Sequence, residues 1–89
     1  MSTVEDILKE RAKTHGSFEV TAYTVQTLKA GLQDSPNWPE LDMDQKEALE
    51  MVVHKIGRIL CGNKDHIDSW DDGAGYFTLV ANRLRSELQ

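Results

Sequence analysis

The stretch that decides the fold is LDMDQKEALEMVVHKIGRILCGN, residues 41–63. Apolar side chains recur in it at the period of a helix with one apolar face, and they are Leu49, Val52, Val53, Ile56, Ile59 and Leu60. Asp42 with Gln45 forms a capping box at its start, and Gly62-Asn63 predicts a left-handed stop at its end. We therefore predict one long helix from Asp42 through Leu60.

The segment that follows predicts a second long helix. Its apolar residues repeat at spacings of 3 and 4 in a heptad-like order, namely Ile67, Trp70, Ala74, Phe77, Ala81, Leu84 and Leu88. Asp65 or Asp68 can cap this helix, and the short connection before it makes the two helices antiparallel neighbours. We expect the heptad stripe to pack in a helical bundle.

Two further helices are predicted upstream. Ser2 with Glu5 reads as a capping box for a first helix that ends at about Thr14. Its apolar set is thin, so residues 1–15 should form a weakly attached helix. Ser17 then caps a second helix ending near Gly31 to Gln33, with an apolar stripe of Phe18, Ala22, Val25, Leu28 and Leu32. Residues 34–41 hold both prolines and Trp38, and they predict a loop.

Length and composition place limits on the class of protein. The 89 residues predict a single domain, 1–89, that is an all-α, small antiparallel bundle of about four helices. Such a short chain is marginally stable alone, so we expect a homo-oligomer. The net charge of -5 argues against bulk nucleic acid as a partner. One cysteine and no long apolar run favour a cytoplasmic protein that is not in a membrane.

The residues that could carry chemistry lie on the third and fourth predicted helices. Helical spacing places Glu47, Glu50, His54 and Arg58 on one polar stripe, with Lys55 at its edge. On the fourth helix, Asp68, Asp72 and Tyr76 share a face, and Asp71 lies one turn after Asp68. Because the helices are antiparallel, we expect Arg58 to lie closest to Asp68 and Asp72.

Two interpretations of this constellation stay open. As helix caps and surface ion pairs, the acidic residues need no function. As a ligand site, the carboxylates of Glu47, Glu50, Asp68, Asp71 and Asp72 would hold Mg²⁺, which prefers hard oxygen ligands. Lys55 and Arg58 would then neutralise the remaining anionic charge. Tyr76, His15 and His54 are the other candidate ligand contacts, and His15 can instead cap the end of the first helix as a cation.

Glycines in the last two helices need an explanation, because a glycine inside a helix costs about 1 kcal/mol relative to alanine. We expect close helix packing to offset this cost, with Gly57 meeting Gly73 or Gly75 of the fourth helix.

Three segments, ERAKTHGSFE, EALEMVVHKIGRILCG and DSWDDGAGYFTLVANRL, together resemble a family of short bacteriophage and prophage proteins of unknown function. The second half also resembles the MazG-like all-alpha nucleotide pyrophosphohydrolases, since Glu47-x-x-Glu50 precedes Asp68-x-x-Asp71. The second resemblance implies magnesium held by four carboxylates and hydrolysis between the alpha and beta phosphates of a nucleoside triphosphate.

The predicted function is therefore a phage-related protein that binds a nucleotide, with pyrophosphohydrolysis as its candidate reaction. The alternative is a non-enzymatic counter-defence protein that sequesters a cyclic nucleotide signal or binds and inhibits a host protein. A third interpretation is purely structural, with the acidic residues as caps. If a phage encodes the protein, it would act in the cytoplasm of the host.

Overall fold

The computed structural model describes residues 3–88, with the backbone alone at position 15. Its helices are α1 (Val4–His15), α2 (Phe18–Gln33), α3 (Met43–Cys61) and α4 (Ile67–Ser86), with a short 3-10 helix, Trp38–Glu40, in the proline loop. The predicted all-α bundle of four helices is confirmed, and residues 3–88 contain no strand. None of the described helices is both long and apolar enough to cross a membrane.

Helix α3 is the centre of the bundle, and it packs against α2 and against α4. The residues buried along it are small or medium in size, Ala48, Val53 and Gly57. Val25 of α2 and Ser69 of α4 are also buried. Small side chains at these contacts let the helix axes approach each other closely, but they remove little apolar area from water.

Gly57 explains how closely α2 approaches. A Cβ atom added at Gly57 would lie 2.5 Å from Cγ2 of Val25, so only glycine fits there without a shift. The expectation that Gly57 allows close packing is correct, but its neighbour is α2 and not α4. At Gly73 and Gly75 an added Cβ would meet nothing within 4 Å. The prediction that Gly73 or Gly75 allows the backbone of α3 to approach closely was therefore wrong.

The turn between α1 and α2 is attached to the end of α3. Gly16 has φ 83°, and a Cβ there would collide with the carbonyl group of Cys61. The backbone N–H of Asn63 donates to the carbonyl of Thr14 at 2.7 Å. The chain therefore needs glycine at position 16 both for its backbone conformation and for this close contact.

The helix ends match the predictions in part. The capping box at the start of α3 is confirmed, with the N–H of Asp42 donating to Oε1 of Gln45 at 2.8 Å. The box of α1 is instead formed by Thr3 and Asp6, and the predicted Ser2 lies outside the described residues.

Two other predicted helix ends were wrong. Gly62 has φ -126°, so the predicted left-handed stop is absent there. The N-cap position of α4 is His66, and neither Asp65 nor Asp68 occupies it. The backbone N–H of Asn63 donates to the carbonyl of Thr14, which is distant in sequence. This long-range contact sets the backbone after α3, so the local pattern Gly62-Asn63 did not predict it.

Most of the apolar stripe of α4 does not face α3. The contact face carries Ser69, which is buried, and Val80. Of the stripe, Phe77 lines a groove together with Val80 and with Ala48 and Leu49 of α3. On the stripe, Ile67 is 68% exposed, Trp70 59% and Phe77 53%. The α4 helix is thus rotated so that Ser69 and Val80 meet α3, while Ile67 and Trp70 lie to one side and Phe77 is only partly covered.

Candidate functional site

The predicted constellation is divided between two sides of α3. On one side, Oε2 of Glu50 lies 3.7 Å from Nζ of Lys29 in α2. On the other, Oδ2 of Asp72 in α4 lies 3.0 Å from Nζ of Lys55. Residues 50 and 55 are five apart and point in different directions from the helix axis. The acidic residues of the two helices therefore serve different ion pairs.

The remaining predicted metal ligands are spread over the surface. Asp68 lies 3.7 Å from Nε2 of His66, and Glu47 is exposed. Asp71 and Tyr76 line an open depression on the outside of α4 together with Asp72. Among the side chains that the structure describes, no three of His, Cys, Asp or Glu are placed to hold one metal ion. The five carboxylates do not assemble into the predicted magnesium site within the described chain.

Arg58 does not lie closest to Asp68 and Asp72 as predicted, since Lys55 makes the ion pair with Asp72. It lines a cleft between α1, α2 and α3 instead, with a volume of about 500 Å³. The described residues that line this cleft are Leu8, Arg11, Ala12, Gly16, Phe18, Thr21, His54 and Arg58. The volume falls within the range of small-molecule sites.

The lining of the cleft combines positive and apolar groups. Arg11 and Arg58 bring two guanidinium groups from different helices, and none of the described lining residues is Asp or Glu. Leu8 and Phe18 supply apolar surface, and Phe18 is 83% exposed. In a chain with a net charge of -5, this is a local concentration of positive charge. It suits an anion that also carries a flat or apolar part.

His54 connects the cleft to α2. Its Nε2 lies 3.1 Å from Nζ of Lys29, and because an ammonium group can only donate, the imidazole nitrogen accepts this hydrogen bond. Burial of the ring lowers the pKa of His54, and the positive charges of Lys29 and Arg58 lower it further. The ring is therefore neutral at pH 7, and the same Lys29 contacts Glu50.

Sequence reasoning found part of the cleft and missed part. It selected His54 and Arg58, which line the cleft, while the side chain of His15 lies outside the described residues. It missed Arg11 and assigned Phe18 to the core. A signal for Arg11 exists, since Leu8, Arg11 and His15 recur at spacings of 3 and 4 along α1.

Fold and site together define a small all-α protein with one basic and apolar cleft at the junction of its first three helices. Comparisons with protein-family models, with curated proteins and with solved structures find no match for this chain. The resemblances to a phage family and to MazG-like enzymes therefore stay predictions.

Proposed function

We propose that this protein binds a nucleotide in the cleft between α1, α2 and α3. The observation that supports the proposal is the pairing of Arg11 and Arg58 with His54 and Phe18 around one cleft. Guanidinium groups bind phosphate oxygens through charge-assisted hydrogen bonds, and an aromatic ring can stack on a base. The ligand class is the one predicted from the sequence, but the site lies between α1, α2 and α3 and not between α3 and α4.

The proposal is for binding and not for hydrolysis. A magnesium-dependent pyrophosphohydrolase needs several carboxylates around its metal, whereas Glu50 and Asp72 each contact a different lysine. Binding without turnover is also what the alternative function requires, the sequestration of a cyclic nucleotide signal. Nucleoside triphosphates and cyclic dinucleotides share phosphates and bases, so both belong in the test.

The test compares two variants that each remove one positive charge from α3. Arg58→Gln should weaken binding about tenfold to a hundredfold, because charge-assisted hydrogen bonds contribute about 1.5–3 kcal/mol. Lys55→Gln should leave the affinity unchanged, since Lys55 is paired with Asp72 on the other side of the helix. Isothermal titration with nucleoside triphosphates and cyclic dinucleotides, with and without Mg²⁺, measures both.

Two results would contradict the proposal. Equal loss of affinity in Lys55→Gln and Arg58→Gln would place the ligand outside the cleft. Pyrophosphate release that requires Glu47 and Glu50 would replace binding by hydrolysis.

Binding should also depend on pH. A phosphate beside His54 stabilises the imidazolium form and so raises the pKa that burial lowers in the free protein. Binding then takes up a proton, and affinity should increase as the pH falls from about 8 to about 6. His54→Gln should remove that dependence while it keeps an acceptor for Lys29.

A further inference from the structure

The apolar stripe of α4 is only partly covered by the described residues, since Phe77 lines a groove with Ala48 and Leu49 of α3 while Ile67 and Trp70 are largely exposed. Numbered as a heptad, Ile67, Ala74 and Ala81 of α4 occupy position a, while Trp70, Phe77 and Leu84 occupy position d, and Leu88 lies beyond the last helical residue, Ser86. Ile67, Trp70 and Phe77 are each more than half exposed, and Leu84 is 39% exposed. Such a pattern over three heptads is typical of a helix that pairs with another helix.

The accessible surface of the whole chain is larger than that of a compact protein of its mass, which leaves room for an interface of standard size. The chain exposes 6749 Å², whereas a compact folded protein of 10.1 kDa exposes about 5,300 Å². Its radius of gyration is 15.5 Å, against about 12 Å for a compact domain of this length. The excess of about 1,500 Å² exceeds the roughly 800 Å² that each partner buries in a standard protein interface.

We propose that two copies of this chain form a symmetric dimer through antiparallel pairing of their α4 stripes. A two-fold interface must be complementary to itself. Antiparallel pairing that sets Ala74 opposite Leu84 of the second copy also sets Ala81 opposite Phe77. Each small residue then faces a large one, which is how side chains fill the space between two helices.

The charged residues beside the stripe favour the same antiparallel alignment of the two α4 helices. Residues at heptad position e lie beside the seam, which is the line of contact between the two α4 stripes. In this pairing Asp71 lies opposite Arg85 of the second copy, and the two-fold symmetry forms this pair twice. A parallel pair would instead separate Asp71 and Arg85 by about 21 Å along the axis and set alanine against alanine. The antiparallel arrangement therefore satisfies both packing and charge, and the parallel one satisfies neither.

Trp70 meets one further requirement of a buried seam. Its indole N–H already donates to the carbonyl of Lys64 at 2.9 Å. The ring can therefore be covered by a second copy without leaving an unpaired donor.

The first test measures the mass of the species in solution and whether the interface lies on the α4 stripe. Sedimentation equilibrium of the wild-type chain at micromolar concentration should give twice the 10.1 kDa of one chain. Ala74→Glu places a charge inside the seam and should give the monomer mass. Leu79→Glu adds the same charge at heptad position f, where the side chain is 68% exposed, and should leave the dimer intact. A monomeric wild type, or equal effects of the two variants, would overturn the proposal.

The second test measures orientation, and it does not depend on the folding of Ala74→Glu. Asp71→Arg and Arg85→Asp each set like charges against each other and should weaken self-association about tenfold. Mixed together, the two variants should form a heterodimer, because each Arg then faces an Asp. The double variant Asp71→Arg/Arg85→Asp should regain wild-type affinity. No preference for the heterodimer and no recovery in the double variant would exclude the antiparallel register.

Discussion

Two glycines of this chain do opposite things at the scale of single residues. Gly16 has φ 83° and contacts the end of α3, where a Cβ would collide with Cys61. Gly31 lies near the end of α2, and a Cβ there would meet nothing within 4 Å. The same substitution, Gly→Ala, therefore has a different sign at the two positions.

Gly16→Ala should lower the free energy of unfolding by about 2 kcal/mol or more, through backbone strain together with displacement of the α1–α2 turn. Gly31→Ala should raise it by about 0.5–1 kcal/mol, because alanine favours a helix and restricts the unfolded chain. Urea unfolding followed by circular dichroism measures both. A neutral effect of Gly16→Ala would show that the turn does not depend on the contact with Cys61.

His54 should make stability depend on pH. Its folded pKa is lowered by burial, then by Lys29 and Arg58, so the unfolded chain takes up a proton more readily than the folded one. The stability present above the unfolded pKa of about 6.5 should be lost as the pH falls through the folded pKa. His54→Gln should therefore flatten the loss of stability between about pH 7 and pH 5, measured by urea unfolding at several pH values.

At the scale of elements, the first turn of α3 is held by side-chain hydrogen bonds both within α3 and from α4. Asp42 forms a capping box with Gln45, and it also accepts a hydrogen bond at 3.0 Å from Arg83 of α4. Arg83 bonds Asp44 as well, which lowers the pKa of Asp44. Arg83, near the end of α4, thus connects α4 to the first turn of α3 through these hydrogen bonds.

Asp42→Ala should therefore cost about 1 kcal/mol of stability, the usual cost of losing an N-cap. Asp65 is the matched control, because it was predicted as a cap but pairs only locally with the neighbouring Lys64 at 2.9 Å. Asp65→Ala should change stability by less than about 0.5 kcal/mol. Thermal unfolding of the two variants measures the difference, and equal costs would contradict the assignment of the caps.

At the scale of the whole molecule, the packed core is small. Three apolar residues, Val25, Ala48 and Val53, are buried among the described residues, while large apolar side chains remain on the surface of α4. Single helices and thin cores are marginal alone, and most of their stability comes from tertiary or quaternary packing. The proposed dimer would supply the missing apolar contact.

The melting temperature should accordingly rise by a few degrees for each tenfold increase in protein concentration, since a folded dimer is favoured by mass action. Ala74→Glu should melt lower than the wild type and show no dependence on concentration, while Leu79→Glu should show the same concentration dependence as the wild type. Differential scanning calorimetry over a range of concentrations measures this. A constant melting temperature in the wild type would contradict dimerisation linked to folding.

The sequence by itself determined the four helices, the capping box of Asp42 and Gln45 and the heptad stripe of α4. These features depend on neighbours within a few residues, whose spacing and side chains are visible in the chain. Only the tertiary structure decided which way α4 is rotated, which acidic residues pair with Lys29 and Lys55, and that Arg58 and Arg11 line the same cleft. Helical periodicity identifies which residues share a face, but long-range packing selects what that face meets.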